Sequence, residues 1–321
     1  MPIDPIALNT LSTMAQPPSN PTLTPAQRRD IIADNLQEFM TTLPRDNRWD
    51  GVEVTELTIP GPHRPIPIRL FRPVGERPQL PSVLYFFGGA FWMRSYETED
   101  MLSICRQLAV EGDSVIVEID YALAPEYPYP AALHEGMSVL RWMAESGSEY
   151  GIDATRLAVG GLSAGGAIAA GVALMDRDGG APLVRLQILE VPGIDLALSV
   201  VADPPADFST SDLDSFLEFQ HFYLPEGVPS DDPYVSPADT PSVVGLPPAL
   251  ILTAEIDVVR PAAEAYADRL RLAGVICVSV VFGGQVHFAP QLASVSPSSR
   301  AWRAMVTEAV RGLHRDPGNP L

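Results

Sequence analysis

The sequence has no lysine. All 21 of its basic residues are arginine, set against 40 acidic ones, for a formal charge of −19 over 321 residues. Lysine's absence excludes Schiff-base and P-loop lysine chemistry. The negative field argues against a nucleic acid or an anionic membrane as partner, because phosphates would be repelled. Cysteine is scarce as well: Cys105 and Cys277 are the two present, each inside an apolar stretch. No disulfide framework or cysteine metal site is expected, and both read as buried thiols in a reducing compartment. The opening MPIDPIALNTLSTMAQPP lacks the basic region and apolar core of a secretory signal, so the cytoplasm is the expected location. The uncharged run Leu157–Met175 is 19 residues long, but five glycines and Ser163 interrupt it. It reads as strand, turn and helix, not as a membrane span.

What is present points to a globular chain. With 46% hydrophobic residues and a mean hydropathy of +0.10, a sizeable core can form. Thr24-Pro25-Ala26-Gln27 combines an N-cap, a proline at the first helical position and a glutamine at the third, which predicts a helix to about Met40. From Val52 onward, β-rich runs are expected at 52–59, 66–71, 82–87, 114–119, 157–160, 184–191, 249–253 and 277–282. Helical stripes lie between the later ones: Leu133, Met137, Leu140 and Ala144; Ile168, Val172 and Met175; Ala263, Tyr266, Leu270 and Ala273, stopped by Gly274. This alternation predicts an α/β fold, a mostly parallel sheet with helices on both faces. Residues 195–237 break the pattern with Pro, Asp and Ser around an aromatic helical piece containing Phe216, Phe219, Phe222 and Tyr223, as a lid would.

Gly161-Leu162-Ser163-Ala164-Gly165 fits G-x-S-x-G and falls between a strand and a helix, where a sharp turn exposes the serine hydroxyl. After the third strand, Gly88-Gly89-Ala90 offers backbone amides to a ligand, as acyl transfer requires wherever negative charge develops on a carbonyl oxygen. Asp257 and His287 each follow a later strand. Serine, aspartate and histidine therefore occur in the chain order used by hydrolases of this architecture. Glu255 stays open as an alternative acid. Phe91 and Trp92, beside the glycine loop, are placed to line a pocket, and Leu162, Phe216 and Phe288 complete the expected substrate contacts. His63, His134, His221 and His314 have no partners at motif spacing. No metal site or cofactor motif is found, so neither is expected.

With these residues in hand, the chain resembles the hormone-sensitive-lipase-like branch of the α/β-hydrolase fold over about residues 50 to 312. Its hallmark DYALAPEYPYPAA (Asp120 to Ala132) is close to that branch's D-Y-R-L-A-P-E-x-P-x-P-A-A, and LPPALILTAEIDVVRPAAEAYADRLRLAGV (Leu246 to Val275) and GGQVHF are similarly family-like. The resemblance implies Ser163 as nucleophile, His287 as base and Asp257 as the residue orienting it. It implies an oxyanion hole from Gly89, Ala90 and Ala164, with Gly88 beside them. It further implies N-terminal cap helices (1–48), a core in two parts (49–194 and 238–321) and a cap insertion (195–237). The expected activity is hydrolysis of small to medium hydrophobic carboxylic esters or lactones. The expected partner is that small molecule, and a homodimer is left open.

The chain departs from the family pattern at four places. H-G-G-G reads Phe87-Gly88-Gly89-Ala90, the residue before the serine is Leu162, the arginine of the hallmark is Ala122, and Phe288 follows the histidine. These leave two alternatives open: a biosynthetic enzyme that lactonises, transfers acyl groups or eliminates, and a ligand-binding receptor-like protein. A positive φ at an alanine costs about 1 kcal/mol or more. Ala90 is therefore expected at negative φ, its methyl narrowing the entrance.

Overall fold

The computed structural model describes residues 3–6, 8–9, 23–44, 49–93, 96, 98–197, 219–316 and 318–321. Helix α1 (Pro25–Thr42) begins as its sequence dictates. The Thr24 hydroxyl accepts from Gln27 N at 3.2 Å, and Gln27 Oε1 accepts from Thr24 N at 3.0 Å, two otherwise orphan donors satisfied reciprocally. The strands are β1 (Val52–Ile59), β2 (Ile66–Pro73), β3 (Leu80–Phe86), β4 (Val115–Ile119), β5 (Ile152–Leu162), β6 (Val184–Glu190), β7 (Ala249–Ile256) and β8 (Cys277–Val286). Helix α2 (Glu99–Gly112) precedes β4, α3 (Ala131–Glu145) follows it, and α4 (Ala164–Asp178) follows β5. Helix α5 (Arg260–Leu272) links β7 to β8, and α6 (Pro297–Arg315) comes after β8.

The strands form one sheet in the order β1-β2-β4-β3-β5-β6-β7-β8. The pairings of β2 with β1 and β4 are antiparallel, and the rest are parallel. Central strands β3 and β4 are buried along their whole length, because helices cover both faces and every side chain must be apolar or paired. The expected α/β class is therefore the observed one. In such a sheet the carboxyl ends of the parallel strands open onto one crevice, where ligands bind. Here those ends carry the Phe87 loop (after β3), Ser163 (β5), Asp257 (β7) and His287 (β8).

Several boundaries differ from expectation for local reasons. Strand β5 starts five residues before Leu157, through the polar stretch Asp153–Arg156. Its side chains satisfy one another: Asp153 accepts from Thr155 Oγ1 at 2.6 Å and from Arg156 Nε at 2.7 Å. Helices α2 and α6 lie where no helix was predicted. In α6, Trp302, Val306, Val310 and Leu313 bury one stripe against the core. Cys105 is buried and free as expected, whereas Cys277 is half-buried, because β8 is the last strand and one of its sides has no neighbour in the sheet. The run Leu157–Met175 resolves into β5, a turn at Ser163 and α4, and no helix among the described residues is long and apolar enough to cross a membrane.

Candidate active site

Ser163 occupies the turn between β5 and α4 at φ 54° and ψ −117°, a region that L-residues rarely adopt and that persists only where the surroundings over-determine it. The two glycines of the motif make the turn fit. A Cβ at Gly161 would lie 2.6 Å from the Gly165 backbone and from Phe86 O, and one at Gly165 would lie 2.6 Å from Phe86 C and nearer still to the Phe86 and Phe87 carbonyl oxygens. Segment 190–193 grips the serine from the other side: Ser163 N donates to Glu190 O at 2.9 Å, and Gly193 N donates to Ser163 O at 3.1 Å.

The Ser163 hydroxyl meets His287. Its Oγ lies 2.8 Å from His287 Nε2, while Nδ1 of the same ring lies 2.7 Å from Asp257 Oδ2. The second carboxylate oxygen, Oδ1, accepts from Val259 N at 3.2 Å, so Asp257 is held at both ends. The Asp257 side chain is 1% exposed and that of His287 36%, so the ring forms part of the accessible surface. Desolvation pulls the imidazole's pKa down. The Asp257 charge and hydrogen bond together outweigh it, and the net pKa is raised above 6.5. Glu255 points elsewhere: its carboxylate accepts from Gly284 N at 2.6 Å, and that hydrogen bond holds its pKa below the usual range. The structure therefore joins Asp257, not Glu255, to the histidine.

The loop after β3 runs beside Ser163. A Cβ on Gly88 would sit 3.5 Å from Ser163 Cβ. Residues 89–91 have positive φ of 139°, 49° and 66°, so the expectation of a negative φ at Ala90 is overturned. Among the described residues, the Gly89 and Ala90 amides meet no internal acceptor. The Ala164 amide opens α4 and belongs to the unsatisfied first turn of that helix. Neighbouring groups hold this left-handed turn in place. Trp92 N and Met93 N both donate to Gly89 O, at 3.0 and 2.7 Å.

The hallmark segment is the buttress of this loop. Tyr121 Oη donates to Phe87 O at 3.0 Å, its ring stacks on Phe87 at 4.3 Å, and Ala124 N donates to Phe91 O at 3.0 Å. The segment is itself anchored by Glu135, fully buried, which accepts from Ala122 N at 2.7 Å and pairs with Arg64 at 3.0 Å. Phe87, where the family has histidine, is fully buried in this stack.

A profile for the alpha/beta hydrolase fold matches residues 83–290, which contain Ser163, Asp257, His287 and the loop after β3. The chain belongs to that family. The hydrolase fold here is 37% identical over 245 residues to the esterase LipI of Mycobacterium tuberculosis, covering 75% of this chain and 76% of that protein. Among solved structures, an ester-hydrolase from the metagenome of Lake Arreo matches it with a TM-score of 0.86 at 31% identity, covering 98% of this chain and 100% of the other. An esterase of Pyrobaculum calidifontis matches with a TM-score of 0.82 at 31% identity, covering 98% and 99%.

Of the residues expected to touch substrate in this hydrolase fold, Phe91 and Trp92 are each 4% exposed. Phe91 stacks on Tyr223 at 4.0 Å and Trp92 meets Phe222 edge-on at 5.4 Å, so they line the seam between the loop and the helical turn 219–223. Leu162 is buried at the end of β5, and Phe288 is half-buried beside His287, ring centroids 6.5 Å apart. Phe216 lies outside the described residues. Two contributors escaped the sequence reading. Arg29 of α1 donates to Trp92 O at 2.6 Å and to Ala124 O at 2.8 Å, fastening the N-terminal helix over the loop. Glu190 is a fully buried carboxylate behind Ser163, and its signal was a lone acid in the apolar run of β6.

Proposed function

We propose that this chain hydrolyses carboxylic esters, including lactones, through an acyl-enzyme on Ser163. The observation that carries this reading is the continuous chain from Ser163 Oγ through the imidazole of His287 to Asp257, built from three separate strand ends. His287 Nε2 takes the serine proton as Oγ attacks the ester carbonyl, and Asp257 keeps Nδ1 protonated and stabilises the imidazolium that forms. The amides of Gly89, Ala90 and Ala164, with Gly88 beside them, receive the oxyanion. His287 returns its proton to the leaving alkoxide, then activates the water that clears the acyl group.

Relatives named as esterases support hydrolysis over the biosynthetic and receptor readings. The docking of Arg29 and of residues 222 and 223 on the loop supports a cap built from 1–48 and 195–237 around the core segments 49–194 and 238–321. The apolar rings at that seam, with Leu162 and Phe288, fit a neutral hydrophobic substrate of modest size, and the overall negative charge disfavours anionic ones. Two free thiols support a cytoplasmic setting.

A fluorophosphonate should label wild-type protein at Ser163, located by mass spectrometry, and leave Ser163→Ala unmodified. Turnover of p-nitrophenyl esters of increasing chain length, with lactones alongside, then ranks the substrates. An adduct on another serine, or none, refutes the proposal.

A further inference from the structure

Segment 190–193 holds Ser163 by both of its backbone groups, and is under strain of its own. Val191, β-branched, sits at φ 40°, where such residues are genuine outliers. Something must fix this strap in place, and the one polar side chain it sends into the core is Glu190, fully buried at the end of β6. Its Oε1 accepts from Tyr85 Oη at 2.6 Å and its Oε2 from Trp302 Nε1 at 2.7 Å. Arg303 Nη1 reaches both oxygens, at 3.1 and 2.9 Å, and that side chain too is fully buried. A buried carboxylate is tolerable only when paired and hydrogen-bonded, and this one is.

The partners come from separate parts of the site. Tyr85 lies on β3, two residues before Phe87 and the loop of free amides. Trp302 and Arg303 lie on α6, and Trp302 packs against Phe282 of β8, the strand that delivers His287, at 4.6 Å between ring centroids. One carboxylate thus ties the strap behind Ser163 to the element that presents the amides and to the helix backing the histidine strand.

We propose that Glu190 is a positioning residue: its buried carboxylate fixes the strap that keeps Ser163 in its strained conformation and in register with the amide loop and His287. This rests on the reading of Ser163 as nucleophile. Glu190 touches neither substrate nor reacting atoms, so it acts on the rate of serine attack and not on ground-state binding.

The test measures fluorophosphonate labelling of Ser163 and the kcat and KM for p-nitrophenyl butyrate in the wild type and Glu190→Gln, which keeps the shape and loses the charge. Folding of each is monitored by circular dichroism. The expected result is a folded variant with labelling and kcat both reduced by about tenfold or more and KM within about twofold, since misplacing a reacting group by about 1 Å can cost about 100-fold. Tyr85→Phe, which removes one hydroxyl, should show a smaller loss with the same split and decides the matter if Glu190→Gln does not fold. A folded Glu190→Gln, or failing it Tyr85→Phe, that labels and turns over like wild type overturns the positioning role and leaves the nucleophile standing. A wild type that is not labelled at Ser163 overturns both.

Discussion

Replacing Ala90 with glycine tests the backbone conformation of the amide loop. At φ 49°, alanine bears about 1–2 kcal/mol of steric strain that glycine escapes. Against this, glycine adds unfolded-state freedom worth about 0.4–1 kcal/mol, and removing a half-buried methyl forfeits about 0.4 kcal/mol. Taking the middle of each range, the strain relief of about 1.5 kcal/mol exceeds the combined cost of about 1.1 kcal/mol, so Ala90→Gly should be neutral to slightly stabilising, by about 0.4 kcal/mol. At an ordinary negative φ the relief would vanish and the same change would cost about 1 kcal/mol. Urea unfolding of the two proteins, compared at equal m-value, separates these outcomes. Because the amide survives, turnover of p-nitrophenyl esters should stay within about threefold of wild type, whereas loss of an oxyanion donor costs about 100-fold or more. Destabilisation by about 1 kcal/mol would show that residue 90 is not held in the left-handed region.

The acid limb of the kcat/KM profile should lie above pH 6.5: the raised His287 pKa means activity falls as pH drops through it, and Asp257→Asn should shift that limb to lower pH while slowing turnover severely. An unmoved limb in Asp257→Asn would separate the two residues. Gly161→Ala should abolish Ser163 labelling, because the new Cβ would lie 2.6 Å from backbone at Gly165 and Phe86; a variant labelled at the wild-type rate would contradict the crowding. If α1 belongs to a cap as proposed, Arg29→Met should loosen it from the loop and change chain-length preference in an ester series while leaving acetyl-ester turnover within about threefold, since the lost bonds run to the Trp92 and Ala124 carbonyls and not to the Gly89 and Ala90 amides.

Much of this was legible in the chain. The G-x-S-x-G turn, the order of Ser163, Asp257 and His287 and the parallel sheet all follow from local pattern, because apolar runs and small residues leave few alternatives. The φ of Ala90 was not legible. An alanine signals negative φ on intrinsic cost alone, and only the tertiary contacts of the loop, with Tyr121 and Ala124 beneath it, reverse that preference. Glu255 and Asp257 could not be ranked by spacing, since both end the same strand; what separates them is that Gly284 N claims the first. Glu190 showed in the sequence only as a lone acid in an apolar run, because the partners that explain it lie 105 and more residues away.

His287 hangs from β8, the last strand of the sheet, which pairs with β7 alone and exposes Val278 and Val281 to 37% and 39%. A terminal strand opens locally at lower free energy than the strands inside the sheet. His287 therefore rides on an edge strand, while Ser163 rides on β5, enclosed on both sides. Heating should accordingly erase turnover before it erases the tryptophan fluorescence of the fold, and hydrogen exchange should find β8 amides opening ahead of those of β5. Bracing the seam between β7 and β8 should then lengthen the time for which turnover survives heating, with Ser163 and its turn left unaltered.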